Sequence, residues 1–348
     1  MTLSLRRGTV VAVDSDGPVA RIRVNCGDEE RAAIGYVDLV GPVEVGDDVV
    51  VNVAAVDLGL GSGGFDIVHV NLTRGLDLPG REGAHVMKLN YTSLQHAVEP
   101  VEAHSRHLDR NSSGPGGESA RPVAVIALHG QLAPVAWQAQ QRLAGARIGY
   151  IQTWGGALPG SLSRVVQTLR SQGLLAGHIT AGQSHGGEYE AISTEGAIDA
   201  AFTHLEWEAA IVGPGPGILG SDSALGHGGM AALESAHAAL ALGCKPLIVP
   251  RMSSGDARPR HRGLSHHTKT VLGLLLQPVH VALPAPQELP GRHQGVSAAV
   301  DLDLYRGSGL PATTMGREID QDELFFRAAL AGGAVLAEEI GVFRARGN

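Results

Sequence analysis

The chain has 348 residues, a formal net charge of -8, 43% apolar residues and 18% charged residues. That composition supplies a sizeable core, excludes a globally disordered chain, and argues against a general nucleic-acid or membrane-surface binder. With 48 glycines and only 4% aromatics, the chain is built from small residues, which suit tight turns and close backbone approach to a ligand.

Residues 1–75 read as a small all-β barrel or sandwich domain. GTVVAVDSDGPVARIRVNC has an apolar strand, a Ser-Asp-Gly turn and an alternating strand, which is a hairpin pattern. GYVDLVGPVEVGDDVVVNVAAV and DIVHVNL add short strands broken by glycine and aspartate. Gly59–Phe65 is the glycine loop of this set. MTLSLRR carries no leader pattern, and no run of about 18 apolar residues predicts a transmembrane helix. Cys26 falls in a strand and Cys244 at a helix end, which gives no disulfide framework. The expectation is a cytoplasmic protein.

Residues 76–122 connect the two halves. HVMKLNYTSLQHAVEPVE reads as a strand and a short amphipathic piece, and His104–Pro122 as a Ser/Gly/Pro-rich linker. Residues 123–348 have a different rhythm, in which apolar runs, Gly-rich loops and helical stretches alternate. VAVIAL, ARIGYIQ, LAGHITAG, EAAIVG, KPLIVP and PVHVALP are the expected strands. Near-continuous apolar strands alternating with helices predict an α/β, Rossmann-like parallel sheet with helices on both faces. The last helix, beginning near Asp320 and carrying Phe325 and Phe326, reads as core or as a contact in a homo-oligomer.

In such a sheet ligands bind outside the carboxyl ends of the strands. The strand-to-helix loops are the long ones, with glycine, histidine and acids, while the return loops are short. RPRHRGLSHHTKT, Arg258–Thr270, follows the fifth strand. Arg251, Arg258, Arg260, Arg262 and Lys269 surround Asp256, His261, His266 and His267, and Ser265 is placed to cap a helix. Guanidinium groups at a helix N-terminus predict an anion site. A solvated basic loop with Asp256 paired to an arginine is the plainer alternative. His266 and His267 are adjacent, so only one of them is expected at the site.

Gly213–Gly229 follows the fourth strand. Gly213, Gly215, Gly217 and Gly220 bring backbone N–H groups towards a ligand or simply make a tight turn; no Walker loop or GxGxxG is present. Gln183–Ala191 offers His185 and Glu188, with Glu188 as the leading acid/base group. Glu188, Asp222 and His185 are the set expected to hold a divalent ion, if a metal is bound, and His129 lies in an equivalent loop. No GxSxG elbow occurs.

ARPRHRGLSHHTKTVL, GPGPGILGS, SHGGEYEAIS and VMKLNYTSLQHAVEPVE resemble a bacterial family catalogued as a domain of unknown function, number 3866, over nearly the whole chain. An acidic loop of Phe-Gly-Gly-Asp type would be expected where this sequence has His185, Gly186, Gly187 and Glu188. The resemblance implies the organisation above and carries no activity. The expected function is an enzyme that hydrolyses, or transfers a group from, a phosphorylated or carboxylated small molecule. Its ligand would be held by Arg258, Arg260, Arg262 and the glycine loop, and polarised by His266 or His261. The alternative is a non-catalytic metabolite sensor using the same pocket.

Overall fold

The computed structural model describes residues 3–347 except 16, 62, 81 and 106–119. Most of the expected linker, His104–Pro122, therefore lies outside the described residues. The chain divides into two compact units, residues 1–99 and 100–348.

The first unit contains β1 (Leu5–Ser15), β2 (Val19–Cys26), β3 (Glu29–Tyr36), α1 (Val37–Val40), β4 (Asp48–Asn52), α2 (Ala54–Asp57) and β5 (Asp66–Asn71). The strands close into a barrel in the order β1-β2-β3-β5-β4. Alternation builds it: Ala20, Ile22 and Val24 of β2 point inward to Val10, Ile34, Val49 and Val51, while Arg23 and Asn25 face out. The outer arginines are engaged by acids, Arg6 with Glu29 and Asp57, and Arg23 with Glu30. β6 (Val86–Lys88) and β7 (His96–Val98) form an antiparallel ribbon. The expected amphipathic piece is thus the turn and second strand of that ribbon. Leu89 and Tyr91, both at positive φ, turn the chain back on itself.

The second unit runs β8 (Pro122–Ile126), α3 (Leu132–Arg142), β9 (Ile148–Thr153), α4 (Arg164–Ser171), β10 (His178–Ala181), β11 (Tyr189–Ala191), α5 (Thr194–Thr203), β12 (Ala209–Pro214), α6 (Ala231–Ala241), β13 (Lys245–Val249), β14 (Met252–Ser253), β15 (Gly263–Leu264), α7 (His266–Leu274), β16 (His280–Leu283), β17 (Gln294–Ser297), α8 (Leu302–Arg306) and α9 (Glu323–Gly347). Eight of these strands make one parallel sheet in the order β11-β10-β9-β12-β8-β13-β16-β17. The sequence runs accounted for six; β11 and β17 are the added edge strands. Successive residues face opposite sides. Ala124 and Ile126 pack with α3, α4, α8 and α9, whereas Val123 and Val125 pack with α5, α6 and α7. Ser163, Ser193 and Ser265 cap α4, α5 and α7 through their side-chain oxygens. Phe325 and Phe326 put the start of α9 into the core.

The neighbours β8 and β12 are followed by helices on opposite faces, α3 and α6. That reversal marks a switch point at the carboxyl edge of the sheet, the edge where open α/β sheets bind ligands.

Candidate functional site

A cavity of about 330 Å³ lies at that edge, within the size range of small-molecule sites. The loop after β12 gives Ile218, Gly220 and Asp222, and the loop after β13 gives Arg251, Arg258, Arg260, His261 and His267. The antiparallel pair β14–β15 ties the two ends of the second loop together.

Asp256 anchors this loop. It is 2% exposed. Its Oδ1 accepts from the backbone and Nε of Arg258, both at 3.0 Å, and its Oδ2 accepts from Arg258 at 3.0 Å and Arg251 at 3.2 Å. Burial alone would raise its pKa, but the Arg258 hydrogen bonds and charge hold the carboxyl well below the usual range. Asp256 is thus a clamp for the arginines and not a ligand group at the cavity surface. Arg262 donates to the Asp256 carbonyl at 2.9 Å and, like exposed Lys269, is not among the cavity-lining residues. Arg260 pairs with Asp222 at 2.7 Å, and the Asp222 side chain is 95% exposed.

Behind the arginines four imidazoles crowd together. His266 and His267 lie 4.3 Å apart by ring centroid, and His261 is 4.7 Å and 4.8 Å from them. Of the adjacent pair, His267 lines the cavity and His266 does not. They are the first two residues of α7, before the helix has turned, and both rings reach His261. His227, from the loop after β12, stacks on His267 at 3.6 Å. Burial, then the charges of Arg251 and Arg258, push His261 down to about 4. Burial and the neighbouring His227 push His267 down to about 2. His266 and His227 are lowered for the same reasons, burial first. All four rings are thereby biased towards the neutral form.

The predicted metal set is not brought together. Glu188 is ion-paired with Arg170 at 2.5 Å and accepts from the His178 backbone at 3.2 Å. It stands just before β11, at the amino edge of the sheet. His185 is buried in the loop between β10 and β11, where its backbone pairs with Leu158 and Gly160. Among the described residues, His261, His266 and His267 are the histidines and acids whose ligand atoms converge, within 4.8 Å of one another.

Most of the Gly213–Gly220 glycines serve packing and turns between loops. A Cβ at Gly213 would strike Ile126, and one at Gly215 the Ala157 carbonyl. Gly155 and Gly228 likewise meet backbone to backbone. These residues let the loops after β9 and β12 interlock, and Ala157 donates to Pro216 at 2.6 Å across the join. Gly217 is a positive-φ turn with open space around it. Only Gly220 of the expected four lines the cavity.

A model of the family described as "Protein of unknown function (DUF3866)" matches residues 32–333. The chain belongs to that family. No curated protein and no solved structure matches the chain. The family match takes in the cavity and the four clustered histidines.

His129 lies away from the cavity. Its Nε2 is 2.7 Å from Ser163 Oγ and its Nδ1 is 3.3 Å from Tyr150 Oη, on the α3–α4 face. Burial pushes it down to about 4, and burial with the His129 charge pushes His178 down to about 3. Unfolded imidazoles titrate near pH 6.5. Folded values below the unfolded one mean that this contribution is intact above about pH 6.5 and lost as pH falls towards 4. Two protons taken up on unfolding give a slope approaching ~2.7 kcal/mol per pH unit. Urea midpoints measured at pH 7 and pH 5 should therefore drop steeply on the acid side. A flat profile would mean these rings are protonated when folded.

Proposed function

We propose that this protein is an enzyme acting on a phosphorylated or carboxylated small molecule, by hydrolysis or group transfer, in the cavity between the β12 and β13 loops. One observation carries the reading: Arg251, Arg258 and Arg260 face one cavity whose lining includes a single carboxylate, the exposed Asp222. Asp256 holds Arg251 and Arg258 in place from behind. Among the described residues Arg260 pairs with Asp222 at the surface, and surface ion pairs of this kind contribute little, about 0–1 kcal/mol. An incoming phosphate or carboxylate therefore exchanges readily for the Asp222 carboxylate. Charge stabilisation is the dominant need of phosphoryl and acyl transfer. A cytoplasmic setting fits the two free cysteines, Cys26 and Cys244. No described helix is long and apolar enough to cross a membrane.

The test is calorimetric titration with inorganic phosphate and with citrate. Arg260→Ala should weaken binding by roughly tenfold or more, as expected for losing a charge-assisted hydrogen bond of about 1.5–3 kcal/mol. Asp222→Asn should tighten it severalfold by removing the internal competitor. Unchanged binding in both variants would overturn the anion site.

A further inference from the structure

We propose that His261, His266 and His267, with His227 beside them, form a binding site for a transition-metal ion of the zinc class. The cluster reaches the arginine-rimmed cavity through His261 and His267. Three features lead there. The first is convergence: one nitrogen from each of His261, His266 and His267 lies within 4.8 Å of the others. Bonds of ~2.1 Å in a tetrahedral centre set donors roughly 3.4 Å apart, so modest side-chain rotations close the set. The second is that His261 Nε2, His266 Nε2 and His227 Nδ1 are buried and have no hydrogen-bond partner. A buried polar nitrogen without a partner is costly, and three in one cluster call for a shared one. The third is the chemistry of the far ring atoms. His227 Nε2 sits 3.0 Å from the Ala224 carbonyl, which can only accept. The proton is therefore on Nε2, and Nδ1 presents a lone pair. His261 Nδ1 is 2.8 Å from Ser265 Oγ, so a proton donated there leaves Nε2 as a lone pair too. Outer partners that fix the tautomer in this way are the usual companions of metal-bound histidine.

A cluster of protonated histidines would be an anion site instead. It is disfavoured by the arginines, which oppose further positive charge, and by the Ala224 carbonyl, which leaves the His227 lone pair facing the cluster. All-imidazole donors suit zinc, copper, nickel or cobalt and not magnesium or calcium, which take oxygen. Arg251 Nη1 lies 3.2 Å from His267 Nδ1; a neutral imidazole has one lone pair, so His267 must release this contact to take the ion. A dication beside Arg251 and Arg260 is electrostatically strained until an anion joins it, so metal and anion should bind each other's complexes more tightly than either binds alone. The metal site rests on the ring geometry and stands without the anion reading; it deepens that reading by supplying a Lewis acid where the anion would lie.

The experiment uses the full chain. Metal content is measured after purification without chelator, and the chelator-stripped chain is then titrated with Co²⁺ and Zn²⁺ alone. The expected result is about one ion per chain and a visible Co²⁺ spectrum of four-coordinate type. His266→Ala, on the half-exposed first turn of α7, should weaken the ion on the order of 100-fold. Ser265→Ala, through the positioning of His261, should weaken it about 10–100-fold, the range for outer-shell partners, with Ser265→Thr restoring it. Arg260→Ala should keep the ion and weaken phosphate binding roughly tenfold or more. Because a histidine variant could fail to fold, the Co²⁺ spectrum of the unaltered chain is the independent check. Binding that is far below one ion per chain, or equal in His266→Ala, would overturn the metal site. Phosphate binding without metal would leave the anion reading intact, and metal without phosphate would leave only the inference here.

Discussion

Replacing Asp256 with alanine is expected to lower the unfolding free energy by about 3–5 kcal/mol, the cost of breaking a buried ion pair from one side. Arg251 is 3% exposed and Asp256 is its charged partner at 3.2 Å. Burial pushes Arg251 down only to about 10, so it stays cationic at neutral pH and cannot escape by losing its proton. Arg258 loses three hydrogen bonds at the same stroke, and the loop from Ser254 to Arg262 loses its anchor. Urea unfolding of the variant at pH 7 measures the effect. A second variant, Asp256→Ala with Arg251→Met, should recover much of the loss, since the uncompensated charge is gone. A single-variant loss under 1 kcal/mol would show that Asp256 does not clamp the loop.

Gly228→Ala is the second large effect. The added Cβ would fall on the backbone oxygen of Gly155, and on its carbonyl carbon. Neither is the end of a flexible side chain, so one of the two interlocked loops must move. Overpacking of this kind typically costs 1–3 kcal/mol and occasionally more, and here the displaced loop carries one wall of the cavity. Both stability and phosphate binding should fall. Gly217→Asn is the matched control: its φ is +72 with open space around it, and asparagine tolerates that conformation. It should cost under about 1 kcal/mol and leave binding intact. Equal effects from the two variants would remove the packing explanation.

The parallel sheet was legible because its inner strands are continuous apolar runs, buried on both faces as in VAVI and AAIV. The edge strands were not. Gln294–Ser297 is polar and mostly exposed, and Tyr189–Ala191 is three residues long. Missing that short strand had a consequence for the site. Gln183–Ala191 looked like a strand-to-helix loop, which put Glu188 at the carboxyl edge. Because β11 intervenes, the chain has already crossed the sheet when it reaches Glu188, and the acid lies at the opposite edge. The basic loop after β13 was legible from its charge density. His227 was not, since a lone histidine among glycines carries no periodic signal, and its partners lie some forty residues further along the chain. The glycines of the β12 loop were visible, but sequence cannot tell a backbone kept bare for a ligand from one kept bare for another loop.

The position of β8 governs the order in which the molecule can be assembled. It is the first strand of the sheet in sequence and one of the innermost in space, between β12 and β13. A growing chain must hold this fully buried apolar segment without either lateral partner until Pro214 is made, and with one raw edge until Val249 is made. Such unpaired edges are templates for pairing with other chains. Synthesis interrupted after α6 would therefore yield a product that is not merely inactive but prone to self-association. Of the two walls of the cavity, the one on the loop after β13 cannot form until that strand has closed the second edge of β8.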